Sequence, residues 1–219
     1  MGDFQSELKR KVKEIEEIIG KFLPQEAGYQ EIVIKAMNYS ILAGGKRLRP
    51  MLMQEVYKLF GGRGKEIEPF MAAIEMIHTY SLVHDDLPAM DNDEYRRGRK
   101  TTHVVFGEAL GILAGDGLLN YAFETALKAF PEEQDALDTV NVGKMYGISK
   151  AMQVLAGKAG IYGMIGGQTA DIEAEKMETI DTDRLLYIHE NKTAALIQSS
   201  MMIGAILAGA GECDEACRT

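Results

Sequence analysis

Apolar residues recur at intervals of three and four along most of the chain. Near the amino terminus Phe4, Leu8, Val12, Ile15, Ile19 and Phe22 form one stripe, and Lys9, Lys11, Lys13, Glu14, Glu16 and Glu17 fill the outer face. That spacing predicts an amphipathic helix. A second helix is expected over about 30–43, stopped by Gly44-Gly45. A third begins at Pro50, where a missing N–H costs nothing, and ends at Gly61-Gly62. A fourth runs from about 67 through Phe70, Ile74 and Ile77 into His84-Asp85-Asp86. Later helices are expected over about 107–129, 139–158, 160–177 and 182–208, the last capped by Asp181. Several are apolar nearly all round, and 201–210 is expected to be buried in a bundle or at a subunit interface. Alternating β-branched runs are almost lacking, so the pattern predicts an all-α fold. With no Pro/Ser/Gly linker, repeat or low-complexity run, residues 1–219 read as a single domain.

Charge and composition narrow the function. Lys+Arg 24 against Asp+Glu 33 gives a net charge of −9, which argues against nucleic acid or an anionic membrane surface as partner. Hydrophobic residues at 46% and charged residues at 26% exclude a disordered chain. No apolar run reaches the ~18 residues of a membrane span, and the charged amino terminus has no apolar core of a signal peptide. A soluble, cytoplasmic protein is the expectation. Cys213 and Cys217 are too few and too local for a disulfide framework. Their spacing could seat a metal on a helix, but no His or further Cys lies near, and two ordinary thiols are expected.

The chemistry concentrates in HDDLPAMDNDEYRRGRK, residues 84–100, where Asp85, Asp86, Asp91, Asp93 and Glu94 precede Arg96, Arg97, Arg99 and Lys100. Such a run is commonly a solvated face. Here the acids follow an apolar helix at its carboxyl end, where the helix dipole disfavours negative charge, so a compensating cation is called for. Oxygen donors without His or Cys suit Mg²⁺, which usually shares its shell with substrate phosphates. On an unbroken helix Asp91 would lie about 120° away from Asp85. Pro88 disfavours helix at Leu87, so a kink there could return Asp91 to Asp85. His78 lies on the face of Asp85, about 10 Å below it, with Tyr80 and Ser81 between. A second basic cluster, GGKRLRP at 44–50, offers Lys46, Arg47 and Arg49 after two glycines, which suits an anion grip as well as a basic turn. In GGQTADIEAE, 166–175, Gln168, Asp171 and Glu175 share one helical face. Lys192, in a polar break of an apolar helix, is either a snorkelling side chain or a further phosphate-seeking cation.

Taken in order, DDLPAMD with Arg96-Arg97-Gly98, GGKRLRP, HTYSLVHDD, FGEALGILAGDGLL, GGQTADIEAE and Lys192-Thr193 resemble the trans-isoprenyl diphosphate synthases over nearly the whole chain. Within that family the farnesyl diphosphate-forming bacterial members are the most similar. The resemblance implies an isoprenoid-synthase helical bundle around a central cavity, and head-to-tail condensation of dimethylallyl or geranyl diphosphate with isopentenyl diphosphate. It implies metal ligands at Asp85, Asp86 and Asp91, holding Mg²⁺ or Mn²⁺, and the allylic diphosphate on Arg96 and Lys192. Isopentenyl diphosphate is assigned to Lys46, Arg49, His78 and Arg97, with Lys192, Thr193 and Gln168 at the reacting cation. Product length falls to Tyr80 and Ser81, with a geranylgeranyl product as the alternative. A homodimer is expected.

The family's second aspartate-rich motif, DDxxD, has no counterpart in these 219 residues. The chain is therefore expected to be incomplete at its carboxyl end, lacking the last helices and inactive at this length. A non-catalytic partner subunit of a synthase is the reading from another class. Without a covering wall, Ile197, Met201, Met202, Ile206 and Leu207 are expected to be exposed.

Overall fold

The computed structural model describes residues 2–131 and 139–210. Cys213 and Cys217 lie outside the described residues. As the periodicity predicts, the regular structure of the described chain is almost wholly helical, and its contacts divide it into two compact units, 1–48 with 68–127 and 49–67 with 128–219. No helix among the described residues is long and apolar enough to cross a membrane.

The first unit opens with α1 (Gly2–Gly20), in which only the later part of the apolar stripe is covered: Ile15, Ile18 and Ile19 are buried, while Phe4 and Leu8 are exposed. Helix α2 (Glu31–Ile41) buries Ile34, Met37 and Ile41 and lies against the later helices α5 (Thr102–Phe106) and α6 (Glu108–Leu127). Gly44 and Gly45, at φ 78° and 153°, turn the chain after α2. Helix α4 (Ile67–Asp85) is the most enclosed, with Phe70 through Ile74 and Met76-Ile77 without solvent exposure. A helix apolar all round has to be surrounded. At its carboxyl end it meets α6, where a Cβ on Gly115 would fall 2.0 Å from His84 Nε2. The Gly/Ala run of GILAGDG thus lets His84 lie directly on the α6 backbone.

Between α4 and α5 the chain forms an element that the sequence pattern did not predict, a hairpin of β1 (Tyr95–Arg96) and β2 (Arg99–Lys100). Its central residues, Arg97 and Gly98, both have positive φ, 52° and 76°. A two-residue turn with both φ positive matches the twist of the strands, but it normally carries Asn-Gly or Asp-Gly, and Arg-Gly gives a weak sequence signal.

In the second unit α3 (Leu48–Leu59) begins two residues earlier than expected, so Pro50 sits within the first turn, where its missing N–H still has no helical acceptor to lose. Helix α7 (Thr139–Ala159) matches its prediction. Helix α8 (Met164–Ala174) is shorter than the predicted 160–177, because 160–163 form a turn held by Gly163 N–H on Gly160 O at 3.0 Å. The predicted 182–208 helix is one run in three parts: α9 (Thr182–Ile188), a π-helical segment (His189–Ala194) and α10 (Ala195–Leu207). Asp181 caps it as predicted, its Oδ1 accepting Arg184 N–H at 2.7 Å. Helix α10 lies along α7, and Gly204 brings it onto the α3 backbone, 2.4 Å from Met53 O to a would-be Cβ. Of the five side chains expected to be exposed there, Ile206 is instead buried, because it lies on the face turned inward, whereas Met201 is exposed.

Candidate active site

The carboxylates begin where α4 ends. Asp85 is the last helical residue, and Pro88 three positions on cannot continue the ladder. The chain closes on itself instead. Met90 and Asn92 N–H both donate to Leu87 O, at 2.9 and 3.1 Å, and Asp91 N–H donates to Asp85 O at 2.9 Å. Asn92 turns the chain out with φ 53°. The kink expected at Pro88 is thus present, and it returns Asp91 to Asp85. Asp85 is half-buried and Asp91 exposed.

Asp86 has a different environment. It is buried, and its Oδ1 accepts from Arg96 Nε and lies against Arg96 Nη2, both at 2.7 Å. Burial pushes its carboxyl above the usual aspartate range, and the Arg96 guanidinium opposes that shift. Arg96 also reaches Asp93, at 3.7 Å. In this arrangement Asp86 is paired with Arg96. Among the described residues no three His, Cys, Asp or Glu side chains gather around one point. What the fold does bring together is the backbone of Asp85 and Asp91, two residues whose side chains offer oxygen donors only. This fits a hard cation that keeps most of its shell for phosphate oxygens and water, and Mg²⁺ is commonly held by one or two carboxylates in that way.

The basic hairpin stands beside this turn. Arg97 Nη1 donates to Gly44 O, so a Cβ on Gly45 would lie 2.5 Å from that nitrogen. Arg97 is exposed, yet its guanidinium, tucked on the turn, is held below the ordinary arginine value by desolvation, with Glu75 drawing it back. Arg99 stacks over Tyr39, 4.3 Å from the ring centre, and Tyr39 Oη donates to Lys100 O at 2.8 Å. Thr101 Oγ1 donates to Asp93 O at 2.7 Å, pinning the far end of the hairpin. Arg97 of the hairpin thus rests on the turn that bears the exposed Lys46, and Asp86, Arg96 and Arg97 line one pocket.

Down α4 lie the remaining residues singled out in this unit. His78 is half-buried, and its carbonyl accepts from Ser81 Oγ at 2.9 Å. Tyr80 is 6% exposed and meets His84 edge-to-face at 5.8 Å. Its hydroxyl is buried without a hydrogen-bond partner, and burial, then the charge of Asp85, push its pKa up to about 12.

The second unit holds Arg49, Gln168, Lys192 and Thr193. Arg49 is half-buried in the first turn of α3. Lys192 lies in the π-helical segment and pairs with Asp171 of α8 at 2.5 Å. Gly167 makes that close approach possible, because a Cβ there would lie 2.1 Å from Lys192 N and 2.7 Å from Asn191 C. Thr193 is exposed. The polar break at 189–194 is therefore a wide helical turn packed on a glycine, an arrangement frequent at functional sites.

Sequence reasoning missed Glu75, which is 2% exposed and bonded to Arg47 at 2.8 Å. Its signal was available, since a lone carboxylate in the apolar run MAAIEMIH has to find a partner. Arg47, read with its neighbours as an anion-gripping cation, is also buried.

With this geometry described, known proteins offer a comparison. A family model described as Polyprenyl synthetase matches residues 30–219. A dimethylallyltranstransferase of Fischerella ambigua is 44% identical over 189 residues, which cover 85% of this chain and 51% of that protein. A farnesyl diphosphate synthase of Geobacillus stearothermophilus is 41% identical over 203 residues, covering 93% of this chain and 65% of the relative. A geranylgeranyl diphosphate synthase of Cyanophora paradoxa is 42% identical over 200 residues, covering 91% and 63%. The chain thus spans between about half and two thirds of the length of these relatives. An apo structure of an FPP/GFPP synthase from Zymomonas mobilis superposes with a TM-score of 0.81 at 33% identity, over 94% of this chain and 71% of that one.

Proposed function

This chain belongs to the polyprenyl synthetase family, and we propose that the protein containing it joins an allylic diphosphate head-to-tail to isopentenyl diphosphate, releasing pyrophosphate and a farnesyl product. The observation that carries the reading is the closed turn of Asp85 and Asp91 beside the basic hairpin and the Gly44-Gly45 turn. Carboxylates and arginines side by side suit a metal-bound diphosphate on one hand and a bare diphosphate on the other.

The chemistry follows from charge. Ionisation of the allylic carbon–oxygen bond leaves an allylic cation and a diphosphate, so the developing negative charge has to be stabilised by preorganised cations. Asp85 and Asp91 would hold Mg²⁺, which when bound neutralises diphosphate oxygens and favours departure of the leaving group. Arg96, fixed by Asp86, donates to the same diphosphate, a role shared with Lys192. Lys46, Arg49, His78 and Arg97 hold isopentenyl diphosphate through its own phosphates. Its double bond attacks the allylic carbon, and the proton lost from the adduct passes to the departing diphosphate. Thr193 and Gln168 present polar groups near the cation. Tyr80, large and buried, forms the floor that ends growth at fifteen carbons, with Ser81 too small to do so. A second copy of the chain is the proposed partner, supported by the exposed Val104, Val105, Ile112 and Leu113 of α5 and α6.

The test is product analysis of the full-length protein with labelled isopentenyl diphosphate, Mg²⁺, and dimethylallyl or geranyl diphosphate. A fifteen-carbon product is expected. Twenty-carbon product would move the protein to the geranylgeranyl class, and no acid-labile product would sink the reading.

A further inference from the structure

We propose that Arg47 is a positioning residue and not a substrate cation: with Glu75 it forms a buried lock that sets the turn bearing Lys46, on which Arg97 rests. The proposal rests on the function argued above and assigns a division of labour within GGKRLRP. Arg47 and its neighbour Lys46 face opposite ways, Lys46 exposed and Arg47 4% exposed. The split is made in the backbone, because Arg47 has φ 48°, a left-handed conformation that non-glycine residues seldom adopt.

The guanidinium makes two hydrogen bonds and a longer ion-pair contact, on three elements. Nη1 donates to Glu75 Oε1 of α4 at 2.8 Å, and Nη2 donates to Ile41 O, at the end of α2, also at 2.8 Å. Nε lies 3.5 Å from Glu16 Oε1 of α1. One side chain thus satisfies an orphan carbonyl of α2 and ties α1 and α4 to the same point. Arg47 and Glu75 are each 3% exposed at the side chain, so neither charge is available to a ligand, and each would lose its buried counter-ion without the other. From the solvent side Arg97 donates to Gly44 O and covers Gly45. The turn is therefore held from within by Arg47 and from without by Arg97. The outward direction of Lys46 is a consequence of the first contact.

Arg47→Lys keeps the charge and loses the fork, since an ammonium cannot bridge Glu75 and Ile41 O in fixed geometry. Steady-state kinetics of the full-length enzyme should show KM for isopentenyl diphosphate raised about tenfold or more, with kcat and the allylic KM within about twofold. Glu75→Gln should act in the same direction. Because either single change could impair folding, the paired apolar variant Arg47→Met with Glu75→Leu is the second arm. It removes both buried charges, should keep the melting temperature near that of the wild type, and should still raise the isopentenyl diphosphate KM. Folded variants with that KM unchanged, or with kcat alone reduced, would overturn the positioning role while wild-type turnover leaves the functional reading standing. A wild type that makes no prenyl product overturns both.

Discussion

Gly167→Ala is a sharp perturbation of the role proposed for Lys192. The added Cβ would lie 2.1 Å from Lys192 N, 2.7 Å from Asn191 C and 2.8 Å from Lys192 Cα. All three are backbone atoms, so no side chain can swing aside. Restoring van der Waals contact requires α8 and the π-helical segment to part by about 1.3 Å. Overpacking of this kind costs about 1–3 kcal/mol, and a rigid neighbour places it at the upper end. At about 2–4 °C per kcal/mol the melting temperature should fall by roughly 6–12 °C. The same displacement moves Lys192 relative to Asp171, and a misplacement near 1 Å costs about 10²-fold in rate. Gly157→Ala, on the exposed face of α7 with nothing within 4 Å of its Cβ, is the control. It should raise stability by about 0.5–1 kcal/mol through the better helix propensity of alanine. Thermal melts and initial rates of the two variants decide the matter. If Gly167→Ala melts and turns over like the wild type, the close approach at Lys192 has no energetic or functional weight.

Asp85→Asn and Asp91→Asn should each abolish Mg²⁺-dependent binding of a non-hydrolysable allylic diphosphate analogue, measured by titration calorimetry, and leave the melting temperature unchanged or slightly higher as repulsion at the α4 terminus eases; retained affinity in both would remove the metal assignment. Tyr80→Ala should lengthen the product beyond fifteen carbons, whereas Tyr80→Phe should leave it unchanged and be neutral or stabilising by about 1 kcal/mol, because it removes a buried hydroxyl with no partner. Product chromatography that shows fifteen carbons for Tyr80→Ala would make Tyr80 a core residue only. Tyr57 and Tyr80 are both held protonated by burial, with pKa values pushed from 10.0 up to about 12. A raised folded-state pKa stabilises fully below pH 10 and is lost as pH rises towards 12, so urea midpoints should fall across that window. The double Tyr→Phe variant should fall less steeply, and an equal slope would contradict the linkage.

The helices of the bundle were legible because burial imposes a period on the sequence, the cap at Asp181 marked one start, and Gly44-Gly45 marked the turn just beyond the end of α2. The return of Asp91 to Asp85 was legible for a local reason, since Pro88 alone forbids the alternative. The hairpin escaped because its turn residues are Arg-Gly, chosen for charge and not for conformation. The inward course of Arg47 escaped because a basic triplet does not reveal which member faces inward. That depends on Glu75, a residue 28 positions away on another helix. The pairing of Lys192 with Asp171 and the wide turn beneath it depend on a glycine contact across helices, which no single segment encodes.

Arg47, Asn92 and Arg97 are the non-glycine residues of positive φ among the described residues, and all three belong to the acidic turn, the basic turn or the hairpin between them. Each such conformation carries a penalty of order ~1–3 kcal/mol. Glycine would relieve it at every one of the three, and asparagine at the two arginines. A redesign guided by folding free energy alone would therefore rewrite these positions first and erase the cations with them. The site marks the part of the molecule held furthest from its own stability optimum, and thermostabilising libraries should exclude it.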